Sequence, residues 1–129
     1  MNMATLNLTE ENFSKTLEEN DIVIIDCWAE WCGPCKQYGP VYEKVSEQYP
    51  DIVFGKVNTE EQQELAGYFQ VRSIPTTIIM RDKIGIFQQA GALPEEGLKD
   101  IIKQVQALDM DEVRKEVAAQ QAAAEAQNK

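Results

Sequence analysis

Histidine is absent from this 129-residue chain. Its absence removes every Ser/His/Asp or Cys/His catalytic pair and every zinc site built on imidazole. Acid–base work near neutral pH therefore falls to a Cys, Asp, Glu or Lys whose pKa is displaced. Cysteine is scarce and local, since Cys27, Cys32 and Cys35 are the only three. A secreted scaffold would instead spread an even number along the chain to close loops. Basic residues are few, 12 against 22 acidic, and a net charge of −10 repels a phosphate backbone or an anionic lipid surface. Neither nucleic acid nor membrane is an expected partner. No apolar run approaches the ~20 residues that span a bilayer, and the longest, Ile22 to Trp28, is broken by Asp26. Met1 to Glu11 has no basic n-region, apolar h-region or small-residue cleavage pattern, so no secretory signal is expected. The expected location is a reducing cytoplasm.

What is present suits one α/β domain followed by an appendix. Ile22 to Trp28 is apolar at successive positions and rich in β-branched residues, the pattern of a central strand buried on both faces. Short strands are expected at Thr5 to Leu8 and Ile52 to Val57, and a hairpin at Thr77 to Met80 and Ile84 to Gln89. Thr9 with Leu8 and Phe13 predicts a capped, stapled helix over about 10–19. Lys36 to Tyr49 predicts a second helix, kinked at Gly39-Pro40 and ended by Pro50. Thr59-Glu60-Glu61-Gln62 matches a capping box opening a helix through about Phe69. Pro94 opens another, with Leu98, Ile101, Ile102 and Val105 on one face. Alternating strands and helices ending in a hairpin and a helix predict a layered domain with a mixed sheet over residues 1–108. Residues 109–129 turn Ala-, Gln- and Glu-rich and predict a helical extension that frays toward Asn128, either solvated or docking a partner.

Trp31-Cys32-Gly33-Pro34-Cys35-Lys36 falls where the central strand gives way to a helix. Two intervening residues at a helix start bring the sulfurs within bridging distance. Unpaired amides and the helix dipole there stabilise a thiolate on Cys32, which makes it the nucleophile, with Cys35 as the resolving thiol. Half a zinc site has the same spacing, but no second pair and no histidine completes one. Asp26 is a carboxylate in an apolar strand, where desolvation raises its pKa toward neutrality. Lys56, near the end of the next apolar strand, is its expected partner. A buried ion pair with no catalytic role remains open for Asp26.

Asp26 to Lys36, together with Pro40, Lys56, Ile74-Pro75-Thr76 and Gly91-Ala92, resembles the thioredoxin family over about residues 5–107. The resemblance implies a central mixed sheet flanked by helices and a dithiol reductase of protein disulfides. It implies nucleophile and resolving roles for Cys32 and Cys35, whose redox-active disulfide is the only redox group, with no bound cofactor or metal. Asp26 and Lys56 would assist proton transfer at the buried thiol. Pro75 would be cis and face the disulfide, Ile74 would offer its backbone to an extended substrate, and Trp31, Gly33, Pro34, Gly91 and Ala92 would complete the contact surface. The implied partners are disulfide-containing proteins and an NADPH- and flavin-dependent thioredoxin reductase, and the chain is expected to act as a monomer.

Four features depart from the family pattern. Cys27 stands where a bulky aromatic is usual and reads as packing, Gly39 softens the kinked helix, the Arg81-Asp82-Lys83-Ile84 turn lacks the usual glycine, and the extension past Asp109 has no counterpart in the shortest members. Two other functions stay open at this point, a disulfide oxidase or isomerase and a binding module using the apolar rim of Trp31, Ile74 and Pro75.

Overall fold

The structure is a computed structural model that describes residues 4–127. It divides into two compact units, one ending at Lys99 and the other beginning at Asp100. The first is built on a five-stranded mixed sheet whose order puts β2 in the middle. Strands β1 (Thr5–Asn7), β2 (Ile22–Trp28) and β3 (Val53–Asn58) run parallel, β1 and β2 flanking β3. β4 (Thr76–Arg81) pairs antiparallel with β2, and β5 (Ile84–Ala90) antiparallel with β4. The apolar run of β2 thus acquires a neighbour on each side, and its residues 23–27 are buried.

Strand alternation separates two chemical environments. One face carries Val23, Ile25 and Cys27 with Val57, Ile78 and Met80, capped by Leu8, Phe13, Leu17 and Phe69. The other carries Ile24 and Asp26 beneath α2 (Gly33–Ser46). There the Tyr42 ring packs edge-on against Phe54, and its hydroxyl bonds the carbonyls of Ile24 and Gly55 at 3.0 and 2.7 Å. Gly55 leaves room for the Leu8 side chain, which a Cβ there would displace.

Helix boundaries differ from expectation for local reasons. Thr9 and Asn12 bond each other's amides through their side chains, which fixes the turn over 10–12, and regular α1 is Phe13–Glu19. α2 starts earlier, at Gly33, runs through Pro40 and stops at Ser46, ahead of the Pro50 expected to end it. The Thr59 capping box does not form. Thr59 instead donates its amide and hydroxyl to the Trp28 carbonyl, Asn58 Oδ1 receives the amides of Glu60 and Glu61, and α3 is Gln63–Tyr68. Gln70 follows in the left-handed region, and the bonds Gln70 to Gly67 and Val71 to Ala66 close that helix. The hairpin turn closes without glycine, Asp82 and Lys83 both taking positive φ.

α4 spans Glu95–Gln106, immediately after Pro94, with Leu98, Ile102 and Val105 buried. In the second unit α5 is Met110–Gln127. Asp109 caps it by accepting the amides of Asp111 and Glu112. Met110 is buried, Val113 and Val117 are half-buried, and the other residues of α5 are exposed. The fraying expected toward Asn128 lies outside the described residues.

Candidate active site

β2 ends at Trp28, and after four intervening residues the chain turns into α2 at Gly33, so the Cys32–Cys35 pair lies just past the end of the central strand. Cys32 is the N-cap of α2, in extended backbone, and the Cys35 amide donates to its sulfur at 3.1 Å. Pro34 sits in the first turn, where a helix has no use for an N–H. Cys32 and Cys35 form a disulfide across Cα atoms 5.2 Å apart. Their residues are only 3% and 5% exposed, while Trp31 is 68% exposed and Gly33 and Pro34 are open to solvent. Only a narrow edge of the disulfide is therefore offered, set in an accessible rim.

The loop before β4 closes over that edge. The Ile74–Pro75 peptide is cis, and the Ile74 carbonyl oxygen lies 3.7 Å from Cys32 Sγ. The Pro75 carbonyl accepts the Gly91 amide at 2.8 Å, which brings exposed Gly91 and Ala92 to the same rim. Gly91 has φ +101°, a conformation that strains any L side chain. Among the described residues, the Ile74 N–H has no hydrogen-bond partner.

Beneath α2 the Asp26 side chain is 1% exposed, and neither carboxylate oxygen makes a hydrogen bond. Lys56 Nζ stands 3.6 Å from Oδ2, close enough for an ion pair but beyond hydrogen-bond reach. Burial pushes the Asp26 pKa up to about 6, against the opposing pull of the Lys56 charge. A cleft of about 470 Å³, lined by Trp28, Cys35, Gly39 and Lys56 among others, opens to solvent here. On the β4 side, Thr77 is opposite Asp26, and its hydroxyl bonds that of buried Tyr38 at 2.8 Å. Burial, then the Asp26 charge, pushes the Cys27 thiol up to about 12, and Cys27 is a free, buried cysteine.

The structure thus brings Cys32, Cys35, Trp31, Gly33, Pro34, Ile74, Pro75, Gly91 and Ala92 to one rim, and Asp26 and Lys56 together behind it. It leaves Cys27 on the opposite face of β2. Two further neighbours complete the surroundings of Asp26, the Trp28 ring under Lys56, at a residue expected to pack behind the site, and the Tyr38 hydroxyl, which was not foreseen. The period-2 alternation of β2 carried a signal for the first, because Trp28 shares a face with Asp26 two residues before it. Among the described residues no cluster of three or more potential metal ligands forms, and no helix is long and apolar enough to cross a membrane.

Comparison with known proteins agrees with this arrangement. The thioredoxin family model matches residues 4–104. The chain is 60% identical to the putative thioredoxin 2 of Streptomyces coelicolor, over 94% of this chain and 90% of that protein. It is 36% identical to Bacillus subtilis thioredoxin, over 78% and 96%. A solved mutant thioredoxin from Halobacterium salinarum superposes with a TM-score of 0.76 at 30% identity, covering 84% of this chain and 98% of that one. A paired Cys32 and Cys35 at the head of α2, beside a cis-proline loop, within a match of this extent, define a thiol–disulfide oxidoreductase that belongs to the thioredoxin family.

Proposed function

We propose that the protein works in the reducing direction on disulfides of other proteins. The Cys32 thiolate attacks one sulfur of a substrate disulfide, a Cys32–substrate bond forms, and the other substrate sulfur leaves as thiolate. Cys35 then gives its proton to Asp26 and attacks Cys32 Sγ. The second substrate sulfur leaves, and the Cys32–Cys35 disulfide remains. The Cys35 amide aimed at Cys32 Sγ at the α2 N-terminus supports Cys32 as the attacking thiolate. The observation that carries the reducing direction is Gly33-Pro34 between the cysteines, where a histidine would stabilise the thiolate further and favour an oxidant.

Asp26, buried and poised near neutrality, takes and returns the proton, and Lys56 holds its charge in check. Trp31, Gly33, Pro34, Ile74, Pro75, Gly91 and Ala92 contact the substrate. The unpaired Ile74 N–H supports docking of an extended segment by backbone bonds. A thioredoxin reductase that passes electrons from NADPH through flavin restores the dithiol, and the protein acts as a cytoplasmic monomer with no bound cofactor. Residues 1–108 form the redox domain, and residues 109–129 are an appendage to it.

Titration of the Cys32/Cys35 couple tests the direction of the reaction. A midpoint near the roughly −270 mV typical of thioredoxins supports reduction, and one near the roughly −120 mV of strong oxidants overturns it. Loss of disulfide reduction in Cys32→Ser separates redox chemistry from simple binding.

A further inference from the structure

We infer that Trp28 is a positioning residue, its ring face holding the Lys56 ammonium against the Asp26 carboxylate at the side of the cleft that reaches Cys35. The inference rests on the proposed role of Asp26 as proton carrier.

Lys56 Nζ lies 5.2 Å from the Trp28 ring centroid and 3.6 Å from Asp26 Oδ2, so one ammonium bridges ring and carboxylate. A cation over an indole face is attracted by the ring quadrupole, more strongly where water is excluded. Asp26 alone does not fix the ammonium, because no hydrogen bond joins them and a lysine stem has many rotamers. α2 passes close by at Gly39, where even an added Cβ would lie in ordinary contact, 3.8 Å from Lys56 Nζ. Trp28 is itself anchored through its backbone, its carbonyl accepting the Thr59 amide at 2.9 Å and hydroxyl at 3.1 Å. Its indole N–H is buried without a partner among the described residues, so the ring has no polar tether and serves through its face.

The groups around the carboxylate are few. β3 supplies Lys56, β2 the neighbouring Cys27 on the other face, α2 Cys35, Tyr38 and Tyr42, and β4 the uncharged Thr77. Glu30 and Lys36 line the same cleft, and Glu61 the adjoining one. In the oxidised protein Cys35 does not titrate, and burial holds Tyr38, Tyr42 and Cys27 neutral near pH 7. The Asp26 carboxyl can therefore be followed alone.

Two effects of removing the ring have opposite signs. If Trp28 only walls off solvent, its loss hydrates Asp26 and lowers the midpoint. If it positions Lys56, its loss frees the ammonium and raises the midpoint. The experiment is an NMR titration of the Asp26 carboxyl in the oxidised full-length protein, for Trp28→Leu, Trp28→Phe, Lys56→Met and the Trp28→Leu/Lys56→Met pair. The expected result is an upward shift of roughly one unit for Trp28→Leu, a smaller one for Trp28→Phe, and no further rise when Lys56 is already Met. A fall or no change with Lys56 present overturns the inference, as does an equal rise without Lys56. Should Trp28→Leu fail to fold, the unmodified protein still decides, because Lys56 ε-methylene protons above the ring must resonate upfield, and unshifted resonances overturn the inference. The rate–pH profile of disulfide reduction by Asp26→Ala tests the underlying relay separately. An unchanged profile overturns the relay itself, whereas a changed profile with a wrong-signed Trp28 titration overturns only the role of Trp28.

Discussion

The amide of Cys35 donates to the sulfur of Cys32 at 3.1 Å, so each member of the pair is placed by the other. The N-cap position that exposes Cys32 to this donor also puts Cys35 one turn inside the helix, and the two residues are almost equally buried, not Cys35 the more so as its place in the helix suggests. Cys35→Ser is accordingly expected to accumulate mixed disulfides attached through Cys32, detectable by mass spectrometry after acid quenching. Attachment through Cys27 would reverse the assigned roles.

Asp26 ties stability to pH. Its folded pKa is raised from 3.8 to about 6, so the folded state binds this proton more tightly than the unfolded chain does. The stabilising contribution is complete below pH 3.8 and is lost as pH rises through about 6. A shift of about two units corresponds to roughly 3 kcal/mol at full deprotonation. Asp26→Asn is expected to be more stable than the parent at pH 7.5, with the difference closing near pH 4. Denaturant unfolding at the two pH values checks this, and equal gaps at both would refute it.

Cys27 is a packing residue. Replacing its buried thiol by alanine removes one heavy atom from a close-packed face, a loss of roughly 1 kcal/mol. Cys27→Ala is expected to retain full disulfide-reducing activity. The native reduced protein should react with a thiol reagent at Cys27 far more slowly than at Cys32, because the Cys27 residue is sealed and its thiol stays protonated.

Tyr42 joins α2 to two strands through a single hydroxyl that meets the Ile24 and Gly55 carbonyls. Tyr42→Phe is expected to cost roughly 1–2 kcal/mol in denaturant unfolding, while the potential of the Cys32/Cys35 couple stays unchanged. Gly55→Ala is expected to destabilise by a comparable amount, since Leu8 must move to admit the methyl group.

Residues that act within their own segment were readable in the sequence. Of those that act across segments the Asp26–Lys56 pair was too, because each is a lone charge in an apolar strand, whereas most others were not. The apolar run around Asp26 and the spacing of Cys32 and Cys35 announced a central strand and a redox turn. Thr59 offered a sound capping pattern, yet its hydroxyl is taken by the Trp28 carbonyl, 31 residues away, Asn58 orders the turn ahead of α3 by accepting the Glu60 and Glu61 amides, and the N-cap Gln62 makes no side-chain bond. Pro50 read as a stop, but α2 had already ended at Ser46, whose hydroxyl bonds the Glu43 carbonyl. Asp82 and Lys83 carry no glycine signal, but pairing of Arg81 with Ile84 imposes a two-residue turn on them. The approach of Ile74 to Cys32, 42 residues apart, was legible only through family resemblance, because no local pattern encodes a contact between loops.

The alternation along β2 makes strand register a choice of reagent. Asp26 and Cys27 are neighbours in sequence but belong to opposite faces, and pairing with Lys56 and Val57 on one side and Thr77 and Thr76 on the other holds them there. A slip of one residue would withdraw the proton carrier from beneath the disulfide and present a third thiol in its place, a competitor able to scramble the pair. The two flanking strands therefore act as a safeguard on selectivity, keeping the redox couple a couple.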